Sequence, residues 1–301
     1  MKEMYEVSFM PNILSPLRYP GGKSQMSKFV NNLLDINSID NTIYVEPFAG
    51  GAGIAIDLLL KNKVAHIVIN DYDRAIYAIW YSILFHTSEF IERILETPIN
   101  MVEWERQKLI YQNKEAYDLL DLGFATFFLN RTNTSGIITG GPIGGKQQLS
   151  QYKLDCRFNK VALIKKISNI SKRRNDISLY NFDAKLFIKY VIKELNRSNT
   201  FIFFDPPYYK QGKNLYTNFF KHEDHKELAQ EIMMLHDFHW ITTYDLEENI
   251  LDIYKSFPKK IYTLQYSARN SRKESEYLFH NNKTVVTNYD KVVFEKIPIN
   301  C

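Results

Sequence analysis

The stretch Thr42–Asp73, TIYVEPFAGGAGIAIDLLLKNKVAHIVINDYD, carries the reading on which the fold turns. TIYVE (Thr42–Glu46) is a short strand, AGIAIDLLLK beyond the glycines is a helix, and VAHIVI (Val64–Ile69) is a second strand that ends at Asn70 and Asp71. Strand, glycine loop, helix, strand and acid in this order form the first half of a doubly wound sheet. In such sheets a ligand sits beyond the carboxyl ends of the strands, where glycine lets the backbone approach it, and an acid after the second strand takes ribose hydroxyls. Asp71 lies 21 residues after Gly50, close to the ~20 that this geometry asks for. The loop is not a dinucleotide fingerprint, because Ile56 stands where the third glycine would be. A nucleoside without phosphates fits as well, and so does an ordinary strand–turn–helix with no ligand.

Outward from this stretch the strand pattern returns at ISLY (Ile177–Tyr180), followed by NFDA and a helix. TFIFF (Thr200–Phe204) is wholly apolar, as expected of a central strand buried on both faces, and it ends at DPPYY. HWITTY (His239–Tyr244) precedes a helix at EENILDIY, and KIYTLQYSA, SEYLF, TVVT and KVVFEKI all read as strands. Between Thr87 and Arg131 the period is helical, and from Thr132 to Asn159 the chain is polar and glycine-rich without a clear period. The expectation is an α/β fold with a doubly wound, mostly parallel sheet and antiparallel C-terminal strands, built from 1–86 and 176–301. An inserted, mainly helical domain spans 87–175.

With 301 residues, 45% of them hydrophobic, the chain is long enough for one large domain plus an insertion. A net charge of +4 permits a polyanionic partner without demanding one. Two cysteines, Cys156 and Cys301, form no disulfide framework, which fits a reducing compartment. The N-terminus lacks the apolar run of a signal peptide, and the longest apolar stretch, Ala75–Phe85, is shorter than the roughly 20 residues that span a bilayer. A cytoplasmic, monomeric protein with no membrane contact is expected. PLRYPGGKSQM (Pro16–Met26) contains Gly-Gly-Lys-Ser but is no P-loop, because Leu17 stands where the first glycine belongs. His222 with His225, and His236 with His239, are three residues apart but lack H-E-x-x-H or neighbouring cysteines, so no metal is expected.

The sharpest chemistry lies in Asp205, Pro206, Pro207 and Tyr208. Two prolines fix the backbone and remove two N–H donors, which leaves the carbonyls of Asp205 and Pro206 as acceptors beside the Asp205 carboxylate. Tyr208 adds a flat face. Such an array suits a planar ring with an exocyclic amine, whose two hydrogens need two acceptors; the bland alternative is a rigid turn over a buried tyrosine.

Taken together, RYPGGK (Arg18–Lys23), EPFAGGAG (Glu46–Gly53), ND (Asn70–Asp71) and DPPY (Asp205–Tyr208) resemble, in content and order, the DNA adenine methyltransferases of the Dam-like alpha group. The resemblance covers nearly the whole chain. It implies a fold of the S-adenosylmethionine-dependent methyltransferase type, with that cofactor bound by Tyr19, Lys23, Glu46, Phe48, Ala49, Gly50, Gly51, Asp71, Phe182, Asp183 and Asp205. Phe48 to Gly51 would pass under the methionine part, Asp71 would take the ribose hydroxyls, and Asp183 would accept the adenine amino group while Phe182 packs on the ring. Asp183 is also a candidate helix N-cap. Catalysis would be mainly positioning for in-line attack on the sulfonium methyl. A cytosine-C5 enzyme would need a cysteine nucleophile, typically after a proline, and neither cysteine follows one.

The resemblance makes double-stranded DNA the partner, with the target adenine flipped out of the helix. From Lys146 to Asn175 there are nine basic residues and one acid, Asp155. Lys146, Arg157, Lys165, Lys166, Lys172, Arg173 and Arg174 are candidate DNA contacts, the last five of these reading as phosphate contacts; Arg131, Asn133 and Gln147 are candidate readers of base edges. After Asn130–Arg131 the segment departs from the aromatic-containing sequence of members that recognise GATC, so another target is expected. A cognate restriction endonuclease is a candidate partner. Cytosine-N4 methylation on the same fold and a catalytically silent DNA-binding relative are the alternatives.

Overall fold

The structure, a computed structural model, describes residues 13–18, 23–210, 220–266 and 272–295. Its centre is a seven-stranded sheet: β1 (Ile43–Glu46), β2 (His66–Asn70), β3 (Ile177–Tyr180), β4 (Thr200–Phe204), β5 (His239–Asp245), β6 (Lys259–Tyr266) and β7 (Arg272–His280). The spatial order is β3-β2-β1-β4-β5-β7-β6. Strands β1 to β5 pair in parallel, and β7 runs antiparallel to both β5 and β6. The apolar β4 is the middle strand and is buried along its whole length. The order reverses direction between β1 and β4, and the loops that follow these two strands carry EPFAGG and DPPYY.

Period-two alternation splits the sheet side chains between two cores. Tyr44, Ile67, Ile69, Phe201, Phe203 and Ile241 face one core, and Val45, Val68, Ile202, Phe204 and Trp240 face the other. The first is covered by α1 (Ser27–Ile36), α2 (Gly53–Leu60) and α3 (Arg74–Phe85), and the second by α8 (Ala184–Tyr190), α9 (His222–Met233) and α10 (Glu248–Ile253). Between α3 and β3 lie α4 (Thr87–Glu96), α5 (Met101–Gln112), α6 (Leu119–Thr132) and α7 (Lys160–Ser171). Their Phe90, Trp104, Phe127, Phe128 and Ile167 belong to the same core as the first sheet face. Helix α6 lies close against α3 because Gly123 has no side chain: a Cβ there would sit 2.4 Å from the Ala78 carbonyl oxygen.

The strand reading of the C-terminal part holds for β6 and β7 but not for TVVT, which pairs with no strand among the described residues, nor for the described part of KVVFEKI (291–295), which forms only the isolated bridges Tyr289–Val292 and Tyr262–Phe294. Side chains take the backbone groups that a ladder would need. Asn281 Oδ1 accepts from the Thr284 amide at 3.1 Å, and Asn37 Oδ1 accepts from the Val285 amide at 2.7 Å. Among the described residues no helix is long and apolar enough to cross a membrane.

Candidate active site

The loop after β1 is held in a tight curl. Gly50 and Ala52 have φ of 45° and 43°. The Gly50 carbonyl accepts from Trp80 Nε1 at 2.9 Å, and the Gly51 carbonyl accepts from Ser15 Oγ at 2.6 Å. Glu46 turns inward. Its Oε1 accepts from the Ala55 amide and the Tyr44 hydroxyl, both at 3.1 Å. Ala52 offers no cap to α2, so this carboxyl serves the first turn of that helix. Burial pushes Glu46 up to about 8 against the pull of those two hydrogen bonds. Phe48 is half-buried and meets Phe220 edge-on at 6.1 Å.

Three strand ends are stapled by Asn70, which is 1% exposed. Its Nδ2 donates to the carbonyls of Pro47 and Phe182 at 3.0 Å each, and its Oδ1 accepts from the Phe182 amide at 2.8 Å. Beside it, Asp71 Oδ2 accepts from the Gly50 amide at 2.8 Å and Oδ1 from the Asp73 amide at 2.9 Å. Burial, with Asp73 nearby, pushes Asp71 up to about 7. Phe182 is 40% exposed and lies on the Tyr180 ring, with centroids 5.9 Å apart. Asp183 caps α8, its Oδ1 accepting from the Lys185 amide at 2.9 Å. Thus Phe48–Gly51, Asp71, Phe182 and Asp183, far apart in sequence, come together at one edge of the sheet. Tyr19 lies outside the described residues.

At the end of β4, Asp205 Oδ1 accepts from Thr243 Oγ1 at 2.7 Å and lies 3.6 Å from Lys23 Nζ. Burial pushes its carboxyl up, Lys23 opposes this, and Glu276 adds to it. Lys23 is 5% exposed and donates to Glu276 Oε1 at 2.9 Å, to Oε2 at 2.8 Å and to the Tyr208 hydroxyl. Glu276, 1% exposed on β7, also accepts from the hydroxyls of Tyr208 and Tyr262. Burial pushes the Glu276 carboxyl up, but Lys23 and these hydroxyls outweigh it and hold it below the usual carboxylate range. The Lys23 ammonium also stands 4.8 Å from the centre of the Tyr208 ring. After Pro206 and Pro207, which offer no amide, the Asp245 carboxylate accepts from the amides of Tyr209 and Lys210 at 3.0 Å each. Glu276, Thr243, Tyr262 and Asp245 were not expected from the sequence. The signal for Glu276 was available: it shares a strand face with Leu278, so it is an acid at a core-facing position.

Residues 131–174 divide differently from the expectation. Asn133 is fully buried, its Oδ1 accepting from Trp104 Nε1 at 2.7 Å and its Nδ2 donating to the carbonyls of Ile137 and Ile138. It braces the loop after α6 and has no exposed edge to offer a base. Arg131 donates to the Arg157 and Pro16 carbonyls at 2.8 and 3.3 Å. Arg173 pairs with Asp176 at 2.6 Å and reaches the Leu59 carbonyl at 3.0 Å. Lys166 donates to the carbonyls of Ile13 and Ser15. Lys146, Gln147, Arg157, Lys165, Lys172 and Arg174 are exposed. Gln148, next to Gln147, pins the loop instead, donating to the carbonyls of Ile143 and Gly145 at 2.7 Å and accepting from the Leu154 amide at 2.9 Å.

Among the described residues no group of three or more His, Cys, Asp or Glu side chains is placed to hold a metal ion. His222 Nδ1 lies 3.1 Å from the Tyr209 hydroxyl, and His225 Nδ1 lies 3.2 Å from that of Tyr244.

A family model described as D12 class N6 adenine-specific DNA methyltransferase matches residues 19–269. The type II methyltransferase M.MjaIII of Methanocaldococcus jannaschii is 24% identical over 221 residues, which cover 69% of this chain and 73% of that protein. Among solved structures, the rRNA methyltransferase aviRa from Streptomyces viridochromogenes aligns over 94% of this chain and 95% of its own, at 8% identity and a TM-score of 0.40.

Proposed function

The chain belongs to the D12 class of N6 adenine-specific DNA methyltransferases, and we propose that it acts on an adenine flipped out of double-stranded DNA with S-adenosylmethionine as methyl donor. The order Lys23, Glu46–Gly53, Asn70–Asp71, Asp205–Tyr208 supports a place in the Dam-like alpha group. The observation that carries the reading is the convergence at the sheet's turning point of two loops. One offers Asp71 and a curled glycine backbone, and the other offers Asp205 and its proline-flanked carbonyls.

The residues fit that cofactor. Phe182 keeps an exposed ring face beside Asp71, and the Gly50–Ala52 curl is conformationally costly backbone of the kind kept for close approach to a ligand. Phe182 and Asp183 would hold the adenine, Asp71 the ribose, and Phe48 to Gly51 the methionine part. When bound, S-adenosylmethionine supplies a methyl group on an electrophilic sulfonium. The protein's part is to present the amine. Asp205 and the Pro206 carbonyl accept the two amino hydrogens, which aims the nitrogen lone pair away from the ring. Thr243 and Lys23 fix the carboxylate for that task. As the nitrogen gains its methyl it loses a proton, which Asp205, with its raised pKa, is suited to take. Residues 87–175 supply target recognition in this reading, with Lys146, Gln147, Arg157, Lys165, Lys172 and Arg174 as the exposed DNA contacts. Because the curated relative is a type II methyltransferase, a restriction endonuclease of matching site is a candidate partner.

The test is expression in a methylation-free host followed by sequencing of modified bases. N6-methyladenine at one short sequence is expected. N4-methylcytosine would replace the reading with its nearest alternative, and unmodified DNA would overturn it.

A further inference from the structure

We propose that Arg18, Arg131, Arg157 and Lys166 together form a cradle for one phosphodiester of the DNA backbone near the target base. The proposal rests on the DNA-methylating reading and adds to it a site that includes Arg18, the first residue of RYPGGK and one with no role in that reading. The cluster is assembled from distant parts of the chain. Arg131, near the end of α6, donates to the Arg157 and Pro16 carbonyls, and Lys166, on α7, reaches the Ile13 and Ser15 carbonyls. Arg18 donates from its guanidinium to the Asn133 carbonyl at 3.1 Å. Its backbone is clamped by Asn130, which accepts from the Arg18 amide at 2.9 Å and donates to its carbonyl at 2.8 Å.

What sets the cluster apart is its missing counter-charge. Three other Arg side chains of the helical region are matched by an acid, Arg93 by Asp121, Arg106 by Glu103 and Arg173 by Asp176, while the exposed Arg174 has no such partner among the described residues. Among the described residues none of these four cations makes an ion pair with a carboxylate, and they act on one another instead. Burial, then Arg18 and Arg157, depress Arg131 to about 9, and burial followed by Arg131 lowers Lys166. Backbone carbonyls orient such groups but do not neutralise them, so like charges stay together at a cost until an anion arrives. A phosphodiester is the matching anion, since guanidinium forks meet phosphate oxygens in charge-assisted, geometrically specific bonds. The cradle also lies within reach of the chemistry. Arg18 and Lys23 are five residues apart, so their Cα atoms are separated by at most ~18 Å, or about five base-pair steps.

Arg157 gives the cleanest test, because it is exposed and its guanidinium holds no other part of the fold among the described contacts. Fluorescence anisotropy would follow full-length protein on a random-sequence duplex at about 50 and 200 mM salt. Arg157→Gln should keep the wild-type melting temperature, bind roughly three- to tenfold more weakly at the lower salt, and lower the salt slope by about 0.9. Arg18→Gln should show the same loss of affinity and slope, with a lower melting temperature from the lost bond to the Asn133 carbonyl, whereas neutralising Lys255, an exposed cation beyond α10, should change neither affinity nor slope. Wild-type affinity and slope in both Arg157→Gln and Arg18→Gln would overturn the proposal and leave the cluster a mere clamp on residues 13–18. Absence of salt-dependent binding by the wild-type protein would instead remove the DNA reading itself, and the cradle with it.

Discussion

Glu276 and Arg131 are both charged groups withdrawn from solvent, but their surroundings treat them in opposite ways. Glu276 has Lys23 on both carboxylate oxygens and two tyrosine hydroxyls besides, so the charge is answered on every side. Arg131 has carbonyl dipoles and other cations around it, with only the nearby Cys156 thiol acting against them. A network that satisfies itself can be rigid before any substrate arrives, which is what in-line transfer requires. A cluster that lacks its counter-charge gains it on binding. On the proposed reading the first arrangement serves the chemistry and the second serves DNA.

Several substitutions would break or sharpen this contrast. The largest effect is expected at Asp205. Asp205→Ala should lower methyl incorporation by about 10²–10³-fold or more, while anisotropy on duplex DNA stays near wild type; full activity would remove the amine-holding role. Next, Glu276→Gln should leave the buried Lys23 ammonium with Asp205, 3.6 Å away, as its described carboxylate. A loss on the order of 3 kcal/mol in urea unfolding is expected. Lys23→Met combined with Glu276→Gln should recover part of that stability but none of the turnover, since only the charge imbalance is repaired.

The third effect concerns Asp71. Asp71→Ala should weaken cofactor binding about ten- to hundredfold, the loss of a charge-assisted hydrogen bond. The wild-type affinity should also depend on pH. A carboxyl pushed up to about 7 must lose its proton to accept both ribose hydroxyls, so affinity is full above that pH and falls as pH drops through it, by up to tenfold per unit. Calorimetry in two buffers of different ionisation enthalpy would read the released proton; equal heats below pH 7 would place the titrating group elsewhere. The smallest effect separates neighbours in one basic run. Lys165→Gln and Arg174→Gln should weaken binding to all duplexes alike and lower the salt slope by roughly one each. Arg173→Gln, already committed to Asp176 and the Leu59 carbonyl, should instead lower the melting temperature with little change in slope.

Much of this was legible from residues 42–73 and 200–209. The period of a strand, a glycine turn and an acid at a strand end are local signals, and they placed Gly50, Asp71 and Asp205 at one edge of the sheet. What escaped depended on where side chains turn. The polar run after Asn130 read as a surface made to meet bases, yet Asn133 faces inward because the carbonyls of a folded-back loop need donors. Polar composition alone does not separate these two uses. Glu276 escaped for another reason: its partners are Lys23, Tyr208 and Tyr262, and no short motif joins positions so far apart.

Gly136 has φ of 78°, and a Cβ there would sit 2.1 Å from the Arg18 carbonyl oxygen, while Asn130 bonds both the amide and the carbonyl of the same Arg18. The consequence reaches protein engineering. On the proposed reading, in which target recognition lies within residues 87–175, a chimera that imports residues 131–175 from a relative of different specificity would bring a foreign loop against a native Arg18, across a contact with no slack. The transplantable module is therefore discontinuous: it comprises that segment together with Asn130 and residues 13–18, and grafts that carry both pieces should outperform grafts that carry one.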